Sequence, residues 1–342
     1  MTTGSIPTAT NAPKGTAALG ASAELAVVER SGFVESRHAG SAVVLAPDGS
    51  VLRSIGDPSA PVFPRSALKP FQALASLASG AELDPEELVL ATASHTGTEE
   101  QAKIVRRVLK KGRLGISALQ CPADWPEDSA SRDQLVAGGH GPLSIFHNCS
   151  GKHAAMLLAS VASGWDPRSY LSPEHPLQER VREVVSRMTG EQILRTGVDG
   201  CGAPVHAITL TGLAAGYSRV RTTRSDSPFP LYRNAAALTA AVLARPDLIS
   251  GVGHPDAILI EELGALAKRG AEGVLAVALE DGTSVAVKVL DGSLRPAAAV
   301  AVSLLAAVGA IDSPALTRVR ARLDTAVQGG GVPVGELRVT CA

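Results

Sequence analysis

Two pairs of apolar runs stand out along the chain, and each pair flanks an Asp-Gly step. Residues 42–45 and 51–55 lie either side of Asp48-Gly49, and residues 273–279 and 284–290 lie either side of Asp281-Gly282. Asp-Gly supplies the positive φ angles that a tight hairpin requires, so both ends of the chain are expected to contribute antiparallel strands. In the second hairpin Val285, Val287 and Val289 share one face, and Lys288 shares the other with Ala286. A lysine there is either an edge-strand gatekeeper or a buried amine. Between the hairpins the period changes to that of a helix. Thr98 and Gln101 form a capping box ahead of Ile104, Val105, Val108 and Leu109, and Gly112 closes the pattern. Leu177, Val181, Val184, Val185 and Met188 repeat it up to Gly190, and Phe71, Leu74, Ala75 and Ala78 up to Gly80. Residues 88–93 read as a buried strand or a helix, residues 219–230 as a loop that separates two lobes, and residues 297–311 as a buried helix too short to cross a bilayer. Strands at both ends with helices between them predict an α+β fold, an antiparallel sheet flanked by helices.

Composition narrows the class. The chain has 342 residues, 45% of them hydrophobic, and a formal charge of -1. A tail over residues 1–22, rich in Thr, Ala, Ser, Gly and Pro, is expected to be disordered, and residues 23–342 to form a single catalytic domain, if need be as two intimate lobes. The charge gives no case for nucleic acid or an anionic membrane, and Arg106, Arg107, Lys110 and Lys111 read as the wet face of a helix. Cys121, Cys149, Cys201 and Cys341 form no C-x-x-C pair, which points to reduced thiols and a cytoplasmic protein.

The run Ser66-Ala67-Leu68-Lys69 carries the chemistry. A serine hydroxyl needs a base, and residues three apart share a helix face. Ala67, Leu68, Pro70 and Phe71 offer a dry setting that lowers a lysine pKa. Pro70 fits only near a helix start, so Ser66 and Lys69 are expected in the first turn, beside unpaired N–H groups suited to an oxyanion. The tetrad is the S-x-x-K of class A β-lactamases and penicillin-binding proteins. Three other segments are unusually polar. Residues 93–98 (Ala-Ser-His-Thr-Gly-Thr) line a pocket or cap a helix. Residues 147–153 are dense in donors but are no phosphate loop, because Phe146 and His153 occupy positions where that motif needs Gly and Ser or Thr. Residues 199–204 make a tight turn that presents Cys201. Read from spacing alone, Cys149 and Cys201 are either metal ligands or small buried hydrophobes. Arg65 suits a carboxylate, either of a substrate or of Asp199.

Five motifs in order, R-S-A-L-K-P-F-Q-A at 65–73, A-S-H-T-G at 93–97, N-C-S-G-K-H at 148–153, D-G-C-G-A-P at 199–204 and V-K-V-L-D-G at 287–292, resemble the inducible, rhizobial-type (class 3) L-asparaginase family over nearly the whole chain. The resemblance implies a serine β-lactamase/glutaminase-like fold, a homodimer, and hydrolysis of L-asparagine to L-aspartate and ammonia through a seryl acyl-enzyme. It implies two Ser-Lys pairs, Ser66 with Lys69 and Ser94 with Lys288, and zinc held by Cys149, Lys152 and Cys201. Ser66 is expected to attack first while Ser94 and Lys288 relay protons, with the roles reversible. Arg65, His95, Asp199 and Gly200 are the expected substrate-binding residues. The alternatives are a glutaminase or other amidase, and a non-catalytic, zinc-stabilised amino-acid-binding protein. Residues 251–256 depart from the family pattern, which leaves substrate preference less fixed than the nucleophile.

Overall fold

A computed structural model describes residues 15–342. Its strands are β1 (Ala23–Arg30), β2 (Phe33–Leu45), β3 (Val51–Ile55), β4 (Pro61–Val62), β5 (Arg195–Val198), β6 (Pro204–Thr209), β7 (Leu266–Gly270), β8 (Val274–Ala278), β9 (Ser284–Val289), β10 (Ala326–Gly329) and β11 (Val332–Val339). The main sheet runs β10-β11-β1-β2-β9-β8-β7, with β3 also paired to β2, and a small sheet runs β4-β6-β5. Every pairing is antiparallel. Both Asp-Gly hairpins form as expected, with Leu45 opposite Val51 and Ala278 opposite Ser284. The fold is α+β, an antiparallel sheet flanked by helices.

β9 lies inside the sheet between β2 and β8, so Lys288 is not an edge gatekeeper. It is half-buried, and its amine donates to the carbonyls of Glu272 (2.5 Å) and Val289 (2.7 Å). Burial lowers its pKa.

Helices fill the chain between β4 and β5 and again between β6 and β7. The capping box at Thr98 opens the helix Glu99–Lys111, and Gly190 closes Pro176–Thr189 in the left-handed conformation. Residues 88–92 end the helix Pro85–Thr92. The loop expected from residue 219 starts later, because the helix Leu210–Arg221 continues to that point. Val220 is fully buried on its apolar face, and Arg219 and Arg221 sit at its negative end, where cations are favoured. The helix Ala297–Ala307 is buried, and among the described residues no helix is long and apolar enough to cross a membrane. One continuous core of Ala, Val and Leu side chains joins the sheet to both groups of helices. Of the expected tail, residues 1–14 lie outside the described residues, and Leu19–Ala21 forms a 3-10 turn.

Candidate active site

Ser66 stands in a 3-10 turn, Arg65–Leu68, and Lys69 opens the helix Lys69–Ala78 with Pro70 in its first turn. The serine therefore precedes the α-helix rather than sitting in its first turn. Arg65 has φ of +54°, a left-handed conformation that costs an arginine about 1–2 kcal/mol. Its side chain is anchored, Nε lying 2.6 Å from Asp199 Oδ1.

No hydrogen bond joins Lys69 to Ser66. The buried amine reaches instead to Ala93 O (2.5 Å), Asn148 O (3.2 Å) and Ser94 Oγ (3.1 Å). Burial lowers its pKa, and the Lys152 charge adds to this while Cys149 and Cys201 oppose it. A neutral amine has two N–H donors and one lone pair. In that form the two carbonyls would take the donors and the lone pair would face the Ser94 hydroxyl. Ser66 is half-exposed and Ser94 is buried.

The helix Ser150–Ala162 presses against Pro85–Thr92, because a Cβ on Gly151 would fall 2.3 Å from Leu90 O. That approach brings residues 148–152 to Lys69. Lys152 Nζ lies 3.2 Å from Cys201 Sγ. The Cys201 thiol is pulled down to about 5, first by the neighbouring Cys149 and then by Lys152, against burial. Burial also works against the Lys152 charge, yet Cys201, Cys149 and Asp199 outweigh it and raise its pKa. For Asp199, burial favours the neutral acid, but Lys152 and Arg65 hold the carboxyl below its ordinary range. The Gly200 N–H donates to the same Asp199 oxygen that Arg65 engages (2.8 Å), so Arg65, Asp199 and Gly200 form one cluster beside Ser66.

His95, expected at the substrate, has both ring nitrogens in use. Nδ1 accepts the Gly97 N–H (3.1 Å), so Nε2 carries the proton and donates to Ser150 Oγ (2.9 Å), which donates to Ile145 O (2.8 Å). Burial lowers the imidazole to about 3 and keeps it neutral. His95 thus pins the Ser94 loop to the helix that carries Lys152.

The expected Ser94–Lys288 pair does not form, because the amine of Lys288 stays with the carbonyls of Val289 and of Glu272 in the β7–β8 turn. Lys288, Arg65 and Glu272 instead border a cavity of about 220 Å³, walled also by Val62, Phe63 and Leu194. The second lysine near Lys69 is Lys268 on β7, which the sequence reading missed. It is fully buried, 3.2 Å from Asp256, and close enough to Lys69 for their charges to repel. Burial lowers it to about 8 despite Asp256. Two residues on, a Cβ on Gly270 would fall 2.0 Å from Pro64 O and 3.1 Å from Ala67 N, so β7 lies directly on the Ser66 turn. Residues two apart face the same side of a strand. Lys268-Arg269-Gly270 thus lies beside S-x-x-K and resembles, in its first and third positions, the K-T-G that accompanies S-x-x-K in class A β-lactamases, and this was the available signal.

The sequence model of the family described as L-asparaginase II matches residues 26–339. The chain belongs to the L-asparaginase II family. Membership implies an amidohydrolase of the asparaginase type. No curated protein matches the sequence. Among solved structures the chain is similar to Mglu in its glutamate form, at 15% identity and a TM-score of 0.45, covering 78% of this chain and 60% of that one. It is also similar to a β-lactamase from Mycobacterium bovis, at 15% identity and a TM-score of 0.44, covering 79% and 94%. This member of the L-asparaginase II family thus spans about 60% of the length of Mglu.

Proposed function

We propose that the protein hydrolyses L-asparagine to L-aspartate and ammonia through a seryl ester. The observation that carries this reading is the buried Lys69 amine, committed to two carbonyls and facing Ser94 Oγ, three residues after the more accessible Ser66. Ser66 Oγ attacks the side-chain carboxamide carbon. Its proton passes through the Ser94 hydroxyl to the Lys69 lone pair, then returns to the leaving nitrogen as the C–N bond breaks and ammonia departs. A water attacks the ester with Lys69 again as base, the Ser66 hydroxyl is restored, and L-aspartate leaves. Lys268 supplies a second positive charge near Lys69, which favours the neutral form of the base. In this reading the Arg65–Asp199 pair receives the carboxylate and ammonium of the amino-acid head.

The zinc expected from the resemblance is part of the proposal. Among the described residues no group of three or more His, Cys, Asp and Glu is arranged for a metal. Cys149 and Cys201 influence each other's side chains and Lys152 Nζ lies 3.2 Å from Cys201 Sγ, so two cysteine sulfurs and one amine converge, a donor set that would fit three positions of a tetrahedral zinc once deprotonated. Cys149, Lys152 and Cys201 would hold the ion, which when bound would orient the substrate's head group beside Asp199. A homodimer in a reducing, cytoplasmic setting completes the proposal, in keeping with four free cysteines.

The test is ammonia release from L-asparagine and L-glutamine by wild type, Ser66→Ala and Ser94→Ala, with zinc measured on the same samples. Asparagine turnover lost in Ser66→Ala and sharply reduced in Ser94→Ala, with zinc retained, supports the reading. Preference for glutamine redirects it to a glutaminase, and inactivity on both amides removes it.

A further inference from the structure

We infer that Asp256 is a positioning residue that fixes Lys268 and the Ser94 loop on the Ser66 turn, an inference that rests on the hydrolase reading above. Asp256 lies in the first turn of the helix Pro255–Leu263, where the helix dipole favours a negative charge, and it is fully buried. One oxygen accepts from Ser250 Oγ. The other lies 3.2 Å from Lys268 Nζ and 3.3 Å from the Arg269 N–H. Arg269 Nε is 3.9 Å from the first oxygen.

Each link leads to the site. Ser250 follows Ile249, whose carbonyl accepts the Ser94 N–H at 2.8 Å, so the hydrogen bond from Ser250 ties the carboxylate to the residue next to the carbonyl that holds Ser94. Lys268 and Arg269 belong to β7, whose Gly270 lies against Pro64 and Ala67 around Ser66. Tyr217 donates to Ala67 O at 2.7 Å, and its hydroxyl is held protonated by burial and by the Asp256 charge. A single carboxylate therefore joins the two segments that hold the serines and supplies the negative charge that keeps Lys268 an ammonium. The other ionisable groups that feel this centre are Lys69, Arg269 and His254. All three carry positive charge or none, so none replaces Asp256.

The experiment is the pH profile of kcat/KM for L-asparagine, with 13C NMR titration of labelled Lys268, in wild type, Asp256→Asn, Asp256→Glu and Ser250→Ala. Asparagine keeps the shape and, with Ser250 rotated, the hydrogen bonds, but not the charge. Asp256→Asn is expected to lower kcat about 10²-fold, and to move both the basic limb and the Lys268 titration down by about one pH unit. Asp256→Glu should recover the position of the limb. Ser250→Ala should lower kcat and leave the limb in place, which keeps the test usable if Asp256→Asn does not fold. An Asp256→Asn enzyme that loses rate and melting temperature together with the limb and the Lys268 titration unmoved overturns the inference, as does unchanged kinetics. If wild type hydrolyses no amide while Lys268 still titrates lower in Asp256→Asn, the hydrolase reading has failed and the charge pairing stands.

Discussion

Lys69 Nζ stands 3.1 Å from Ser94 Oγ and makes no hydrogen bond to Ser66, the serine three residues before it. The 3-10 turn at Arg65–Leu68 stacks Ser66 over Lys69, yet the amine extends past it to the carbonyls of Ala93 and Asn148. Ser94 is thereby the hydroxyl that meets the base, and Ser66 the hydroxyl that meets solvent. In the proposed mechanism this lysine, in its neutral form, would serve Ser66 as base through Ser94.

Lys69→Met should lower kcat about 10²- to 10⁴-fold, the range for loss of a positioned base. Burial lowers the amine's pKa, so wild type should lose rate as pH falls through a value below the ordinary 10.5 and Lys69 takes up a proton. Initial rates across pH test this, and an acidic limb that persists unchanged in Lys69→Met would remove Lys69 as the base.

Lys268 and Lys288 should separate cleanly. Lys268→Met strands the buried Asp256 charge, at a cost of about 3–5 kcal/mol, and Asp256→Asn added to it should restore stability but not turnover. Lys288 is half-buried and bonds only to two carbonyls, so Lys288→Met should cost about 1 kcal/mol and leave kcat within about tenfold of wild type. Urea midpoints and steady-state kinetics on the four proteins measure both effects.

Much of this was legible in the sequence where the signal is local. The hairpins at Asp48-Gly49 and Asp281-Gly282 and the capping box at Thr98 each depend on residues within a few positions, and all formed. The partner of a serine does not. The resemblance pairs Ser94 with Lys288 through V-K-V-L-D-G, but the register that sets Lys288 opposite Ser41 and Val274 leaves its amine with the carbonyls of Glu272 and Val289. Lys268 is two residues from a glycine whose lack of a Cβ lets β7 lie on Pro64 and Ala67, a contact made across some two hundred positions. Arg65 with Asp199 could be anticipated because opposite charges seek each other, whereas the turning of Lys69 from Ser66 to Ser94 depends on two carbonyls that have no signature in the side-chain sequence.

Metal content tests the thiol cluster. Purified wild type should carry about one zinc per chain, and Cys149→Ser and Cys201→Ser should carry none, since two remaining donors hold zinc poorly. The thiols and Lys152 must shed protons to bind it, so zinc should be released as pH falls. Chelation should raise KM more than it lowers kcat. Elemental analysis and kinetics after dialysis against a chelator decide the matter, and a zinc-free wild type with full activity would dismiss the metal.

His95 makes a stability prediction with a definite sign. Its folded value of about 3 lies below the ordinary 6.5, so between these values the unfolded chain binds a proton that the folded chain refuses. Stability is lost as pH falls through that window and is fully present above it. His153 and His206, also lowered by burial, contribute in the same direction. His95→Phe removes one of these protons and both of its hydrogen bonds, to Gly97 and Ser150. The variant should therefore be less stable than wild type at pH 7, by about 1–3 kcal/mol for each buried partner left unpaired, but should lose less on acidification to pH 4. Denaturant midpoints at the two pH values give the slope directly. Equal slopes for the two proteins would mean that His95 is protonated in the fold and free to meet a substrate, contrary to its position between a backbone N–H and a serine.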